Sequence, residues 1–144
     1  MATDNAELVR LWWAGLNEHG LPPLELCDER IEIRMFEGFP IQGPYHGHDG
    51  VRRYVRDTYD VIDELRVVLD EVVDAGDGET VVTAQRARGR ASHTQLEVDY
   101  PWAVVWTVRG GKVVRARGHA SKAEALEAAG LTTPGSGRPG STAG

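Results

Sequence analysis

The sequence predicts an α+β fold, and three observations carry that expectation. An amphipathic helical pattern opens the chain, a second one follows near residue 50, and from residue 65 a run of alternating apolar segments is joined by short glycine-rich turns. Helices that come first and strands that come later describe a sheet covered on one side by helices, not a chain of alternating βα units.

The elements follow in order. Thr3 and Asp4 are N-cap candidates for the first helix, with Glu7 available for a capping box. Leu8, Val9, Trp12, Trp13 and Leu16 form its apolar stripe, and Gly20-Leu21-Pro22-Pro23 ends it. Residues 30–35 alternate as a strand with Ile31, Ile33 and Met35 on one side. The second helix starts at His48 or Asp49 and turns Val51, Tyr54, Val55, Tyr59 and Ile62 inward. Strands are expected at 65–74, 79–89, 95–109 and 112–119, and a short helix at 121–129. Residues 74–79 and 109–112 read as hairpin turns, the second because Gly110-Gly111 takes positive φ at little cost. Residues 1–131 make one domain, and the Gly/Pro/Ser/Thr-rich stretch 132–144 is too poor in apolar side chains to fold.

Composition narrows the function classes. A chain of 144 residues with 41% hydrophobic and 26% charged side chains is of ordinary globular type. A formal net charge of −6 argues against nucleic acid or an anionic membrane as partner. The N-terminus lacks a charged leader followed by an apolar core, and no run reaches membrane-spanning length, so the expected location is cytoplasmic. The single cysteine, Cys27, forms no internal disulfide and reads as buried and inert.

The segment Phe39–Val55 (FPIQGPYHGHDGVRRYV) and the ending VVWTVRGGKVVRARGHASKAEALEAAGL resemble the SnoaL-like branch of the NTF2-like superfamily. The resemblance implies a cone-shaped fold: a strongly curved antiparallel or mixed sheet wrapped around the N-terminal helices and enclosing an apolar pocket. It also implies a homodimer, a small apolar molecule as partner, and no cofactor. Similarity to ketosteroid isomerases places their catalytic Tyr at Trp12, their base at Met35 and their second oxyanion donor near Ala103, and none of the three keeps the required group. Similarity to limonene-type epoxide hydrolases places a catalytic aspartate at Gly118, with the same result.

The last hairpin bears on where the pocket lies. A turn at Gly110-Gly111 is expected to pair Val108 with Val113, Trp106 with Arg115 and Val105 with Ala116. One face then carries Ala103, Val105, Thr107, Val114, Ala116 and Gly118, whose small side chains leave room for a ligand. The other carries Val98, Tyr100, Trp102, Val104 and Trp106 beside Arg115, Arg117 and His119. Both faces are apolar in the middle strands, so a second covering layer is required, most simply another copy of the chain on the aromatic face.

Candidate site residues follow from that geometry. Trp12, Met35, Tyr54, Tyr59, Ala103, Val105, Ala116 and Gly118 are the expected ligand contacts. Asp99 shares a face with Ala103 and Val105, so a desolvated Asp99 is the candidate general base, with Arg86 and His93 orienting or stabilising charge. SnoaL-type cyclases are similar in using one acid in an apolar cavity. The competing structural reading joins Arg86, Arg88 and Arg90 to Glu97 and Asp99 in a cross-strand ion-pair ladder. His46, His48 and Asp49 offer at most three ligands, too few for a closed tetrahedral metal site, and are better explained by the turn at Gly47 and a helix cap. Three functions remain open: a cofactor-independent cyclase, isomerase or hydrolase working by proton transfer; a non-catalytic binder of an apolar ligand; and a dimerisation or scaffold domain with a filled pocket.

Overall fold

The computed structural model describes residues 4–131, so Thr3 and the expected tail at 132–144 lie outside it. The first helix, α1 (Asn5–His19), is capped by the Asp4 carboxylate, which accepts from the Glu7 N–H at 2.7 Å, and it stops at Gly20 in the left-handed region. A turn of 3₁₀ helix (Leu24–Leu26) leads into β1 (Cys27–Arg34), and a two-residue strand, β2 (Tyr45–His46), precedes α2 (Gly47–Val61). Three long strands, β3 (Ile62–Asp74), β4 (Thr80–Ala91) and β5 (Glu97–Arg109), are followed by β6 (Lys112–His119) and α3 (Lys122–Ala128). Ser121 caps α3 by accepting from the Glu124 N–H. Neither His48 nor Asp49 caps α2; its cap is His46, with no side-chain hydrogen bond. No helix among the described residues is long and apolar enough to cross a membrane.

The six strands form one mixed sheet in the order β2-β1-β6-β5-β4-β3, antiparallel except where β1 runs parallel to β6. The two-residue turn at Gly110-Gly111, both with positive φ, pairs Val108 with Val113 as expected. Beyond it the expected register fails. A bulge between Thr107 and Val108 slips β6 by one residue, so Arg115 lies opposite Thr107 and Ala116 opposite Trp106. One residue of slip exchanges faces. Ala116 and Gly118 therefore share a face with Trp102, Val104 and Trp106, while Ala103 and Val105 share theirs with Arg117 and His119.

The aromatic face is the one that receives α1. Trp12 and Trp13 meet Trp106 at ring-centroid distances of 5.0 and 5.7 Å, and Trp13 meets Trp102 at 6.0 Å, all edge to face. In this arrangement the positive rim of one ring sits over the negative face of another, worth about 0.5–1.5 kcal/mol per pair beyond burial. Beneath the rings, Trp106 Nε1 donates to Thr83 Oγ1 at 2.8 Å, and that hydroxyl donates to Gln85 Oε1 at 2.7 Å, a buried polar chain inside an apolar layer. The opposite face is covered along its centre by α3, where Ala125 and Leu126 pack with Val82 and Ala103. Part of that face is covered by α3. The aromatic face, where the sequence suggested a second copy of the chain, is occupied by α1.

Edge strand β3 is fastened to α1 by a single amide. Asn17 Nδ2 donates to the Val67 carbonyl at 2.8 Å, and the Val67 N–H donates to Asn17 Oδ1 at 2.9 Å. The side chain takes the place of the missing neighbouring strand, at a sheet edge that would otherwise expose both groups. Asn17→Ala should lower the unfolding free energy by about 1–3 kcal/mol, the loss of two partly buried hydrogen bonds, in denaturant melts. Trp106→Phe should cost about 2–3 kcal/mol by the same measurement, since it opens a cavity and leaves the Thr83 hydroxyl without its donor.

Candidate functional site

A cavity of about 250 Å³ lies between α1, α2 and the aromatic face of the sheet. Trp13 and Leu16 of α1 form one wall, and Tyr54, Val55, Thr58, Tyr59 and Val61 of α2 another. The sheet supplies Leu65 and Val67 from β3, Ala87 and Ala91 from β4, and Val98, Tyr100 and Trp102 from β5. The remaining wall is the loop after β1, through Phe39, Pro40 and Ile41. That loop is tied at its base, where the Met35 N–H donates to the Gln42 carbonyl at 2.9 Å. Phe39 packs on Phe36, Tyr100 and Trp102 at centroid distances of 5.2, 5.6 and 5.6 Å.

The cavity lining includes no Asp, Glu, Lys, Arg or His. Tyr54 on its wall is 5% exposed, with no hydrogen-bond partner for its hydroxyl among the described residues, and the buried indole nitrogens of Trp13 and Trp102 are likewise unpartnered. Burial pushes the Tyr54 phenol far above the ordinary tyrosine range, with the neighbouring Tyr45 adding to the effect. Tyr45 steadies the Tyr54 ring edge to face at 5.6 Å and donates its own hydroxyl to Asp57 Oδ2 at 2.8 Å. Its pKa is pushed up to about 12 by burial and by the bond to Asp57. Thr58, also on the wall, spends its hydroxyl on the Tyr54 carbonyl at 2.7 Å.

Of the ligand contacts expected from the sequence, Tyr54 and Tyr59 line this cavity. The others do not. Trp12 turns away from it, about one helical step from Trp13, and packs against Trp106 and the Cys27 thiol. Burial raises that thiol to about 11, and it donates weakly to the Pro23 carbonyl. Met35 and Gly118 fill one another: a Cβ on Gly118 would strike the Met35 sulfur. Ala116 is buried opposite Trp106, in the core rather than on the cavity wall. Ala103 and Val105 lie on the opposite face, under α3.

Of the candidate catalytic residues, Asp99 and Arg86 are likewise on that outer face. Asp99 is exposed and accepts from Arg86 Nη1 at 3.3 Å, while Arg86 makes a two-point contact with Asp70 at 3.1 and 3.4 Å. Asp70, Arg86 and Asp99 thus join β3, β4 and β5 in the ion-pair ladder. Glu64 and Arg90 add a looser pair at 3.8 Å, and Arg88 stands across from Asp99. His93 is exposed in the turn between β4 and β5. The alternation that grouped Asp99 with Ala103 and Val105 holds, but that face is the solvent side, so Asp99 loses the desolvation a general base would need. In the HGHD segment, His48 Nε2 bonds the Cys27 carbonyl at 2.8 Å, Asp49 accepts from Arg52 at 2.8 Å, and His46 is exposed.

The wall residues that sequence reasoning passed over, Trp13, Phe39, Tyr100 and Trp102 above all, had a visible signal. They are bulky apolar residues on the aromatic strand face and in the loop motif, and only the assignment of that face to an interface hid them. The arrangement is an uncharged, apolar space with a few tyrosine hydroxyls among its lining residues.

Solved structures of the same fold place the chain among known proteins. An NTF2-like protein of unknown function from Burkholderia pseudomallei superposes with a TM-score of 0.71 at 24% identity, covering 87% of this chain and 96% of that one. An NTF2-like protein from Burkholderia thailandensis gives 0.71 at 26% identity, covering 86% and 98%. TerC, co-crystallised with polyporic acid, gives 0.69 at 20% identity, covering 87% and 97%. Among curated protein sequences none matches the chain. The model of the SnoaL-like domain matches residues 9–116, a span that holds most of α1, the loop motif, α2 and almost all of the sheet, and the chain belongs to that family.

Proposed function

We propose that this protein binds a small apolar molecule in the cavity between α1, α2 and the sheet. The observation that carries the reading is a preformed space of about 250 Å³ whose walls hold no charged side chain. Ligand sites are of this kind, mostly apolar with few polar groups to set orientation. Tyr54 and Tyr59 remain as ligand contacts, joined by Trp13, Phe39 and Trp102. The fold relative crystallised with polyporic acid is consistent with use of this architecture for small molecules.

Among the three functions left open by the sequence, binding or carriage is favoured over proton-transfer catalysis. A proton-transfer enzyme needs a carboxylate, histidine or comparable base against the substrate, and no wall residue is one. The scaffold reading would require the cavity to be filled by the protein's own side chains, which Trp12 and Met35 do not do.

Saturation with neutral apolar ligands should raise stability by about 2.7 kcal/mol at a hundredfold excess over Kd, read as an increase in Tm. Ala87→Phe, which projects a ring into the cavity from β4, should abolish that increase while the protein still melts cooperatively. Asp99→Asn should leave it intact. An undiminished ligand-induced increase in Ala87→Phe would place the ligand elsewhere.

A further inference from the structure

The cavity is selective by size, by charge and by a single hydrogen bond. For size, a sealed apolar space of about 150 Å³ accommodates one benzene ring. About 250 Å³ accordingly suits one or two fused rings with a short substituent. For charge, no ionisable group on the wall could accompany a carboxylate, phosphate or ammonium that left water, so the desolvation cost falls wholly on the ligand. The aromatic rings on the wall offer faces to a cation, but no carboxylate stands behind them to complete its neutralisation.

For the hydrogen bond, the Tyr54 hydroxyl stands out. Tyr54 lines the cavity, the residue is 5% exposed, and no side chain or backbone group among the described residues hydrogen-bonds its hydroxyl. Tyr59 and Tyr100 also bring phenol hydroxyls to the lining, but both are only partly buried whereas Tyr54 is buried; the other polar atoms on this side of the sheet are engaged or sealed off. Thr58 donates to a backbone carbonyl, and the Thr83 and Gln85 side chains bond one another. The indole nitrogens of Trp13 and Trp102 are buried, without a hydrogen-bond partner among the described residues. A ligand oxygen at hydrogen-bond distance would give the Tyr54 hydroxyl the partner it lacks within the protein.

We infer that the ligand of this cavity is a neutral one- or two-ring molecule carrying a carbonyl oxygen, and that Tyr54 donates its hydroxyl proton to that oxygen. The inference rests on the binding function proposed above and narrows it to a substrate class. Burial holds Tyr54 in its protonated form across the physiological range, which suits a donor and rules it out as a base there. The phenol acts as a positioning and recognition group, and no covalent step is involved.

Three probes of nearly equal shape separate the contributions: 2-acetylnaphthalene, its hydrocarbon counterpart 2-isopropenylnaphthalene, and 2-naphthoate. Isothermal titration of the wild-type protein should give the ketone about a three- to tenfold lower Kd than the alkene, the range expected of one net hydrogen bond. The naphthoate should bind at least about a hundredfold more weakly than the ketone. Tyr54→Phe should leave the alkene Kd unchanged and raise the ketone Kd to meet it, and the unchanged alkene also certifies the fold of the variant. In wild-type protein, the infrared C=O stretch of bound 2-acetylnaphthalene should lie below its value in hexane, a reading that needs no variant. Equal affinity for ketone and alkene, a ketone preference that survives Tyr54→Phe, a hexane-like C=O stretch, or tight naphthoate binding would each overturn the inference while leaving a binding cavity in place. Failure of both ketone and alkene to bind would overturn the cavity function itself, and this inference with it.

Discussion

The packing of four tryptophans, Trp12 and Trp13 from α1 against Trp102 and Trp106 from β5, is the contact on which the rest of the architecture depends. It sets the distance of α1 from the sheet, and that distance decides whether a space remains between them. Trp12 and Trp106 seal one end against Cys27 and the buried Thr83 hydroxyl. Trp13 and Trp102 stop short of closing the other, and α2 with the Phe39 loop completes a chamber there. Adjacent positions on one helix turn thus divide the work, Trp12 as core and Trp13 as wall, because successive residues point about 100° apart.

The sheet separates its chemistry by face. Ionisable side chains of the central strands lie on the outer side, where Arg86 bridges Asp70 and Asp99 in water. Such exposed pairs contribute little to stability. Their more important effect is negative: charge is kept off the inner face. The two sides share the same strands, so a single residue of register would carry arginines into the chamber.

Most of the architecture was legible in the sequence because periodicity is a local property. The helices, the long strands and the Gly110-Gly111 turn fall within a few residues of where apolar spacing puts them. β2 escaped notice because two residues have no periodicity to display. The site was less legible, for two physical reasons. The bulge at Thr107/Val108 exchanges the faces of Ala116 and Gly118, and nothing in the residues of an otherwise regular hairpin announces it. The sequence also does not say which of two apolar faces meets α1 and which meets α3. Small side chains at Ala103 and Gly118 suggested an open space, but they serve close packing against α3 and Met35 instead. Tyr54 and Tyr59 were found because a helix face can be read without knowing the partner.

The parallel pairing of β1 with β6 has a kinetic consequence. Ile33 lies beside Ala116 and Arg34 beside Arg117, so the first long strand waits for the last one before its backbone is paired on that side. The hairpins of β3 to β6 can form from neighbours in the chain, whereas closing β1 onto them spans more than eighty residues, at about 0.6 kcal/mol for each doubling of loop length. Contacts of such long range slow folding. On the ribosome, α1 emerges well before β5, the strand whose Trp102 and Trp106 cover Trp12 and Trp13. The nascent chain is most exposed to aggregation and to chaperone capture during that interval, and synthesis speed across the second half of the message becomes a determinant of yield.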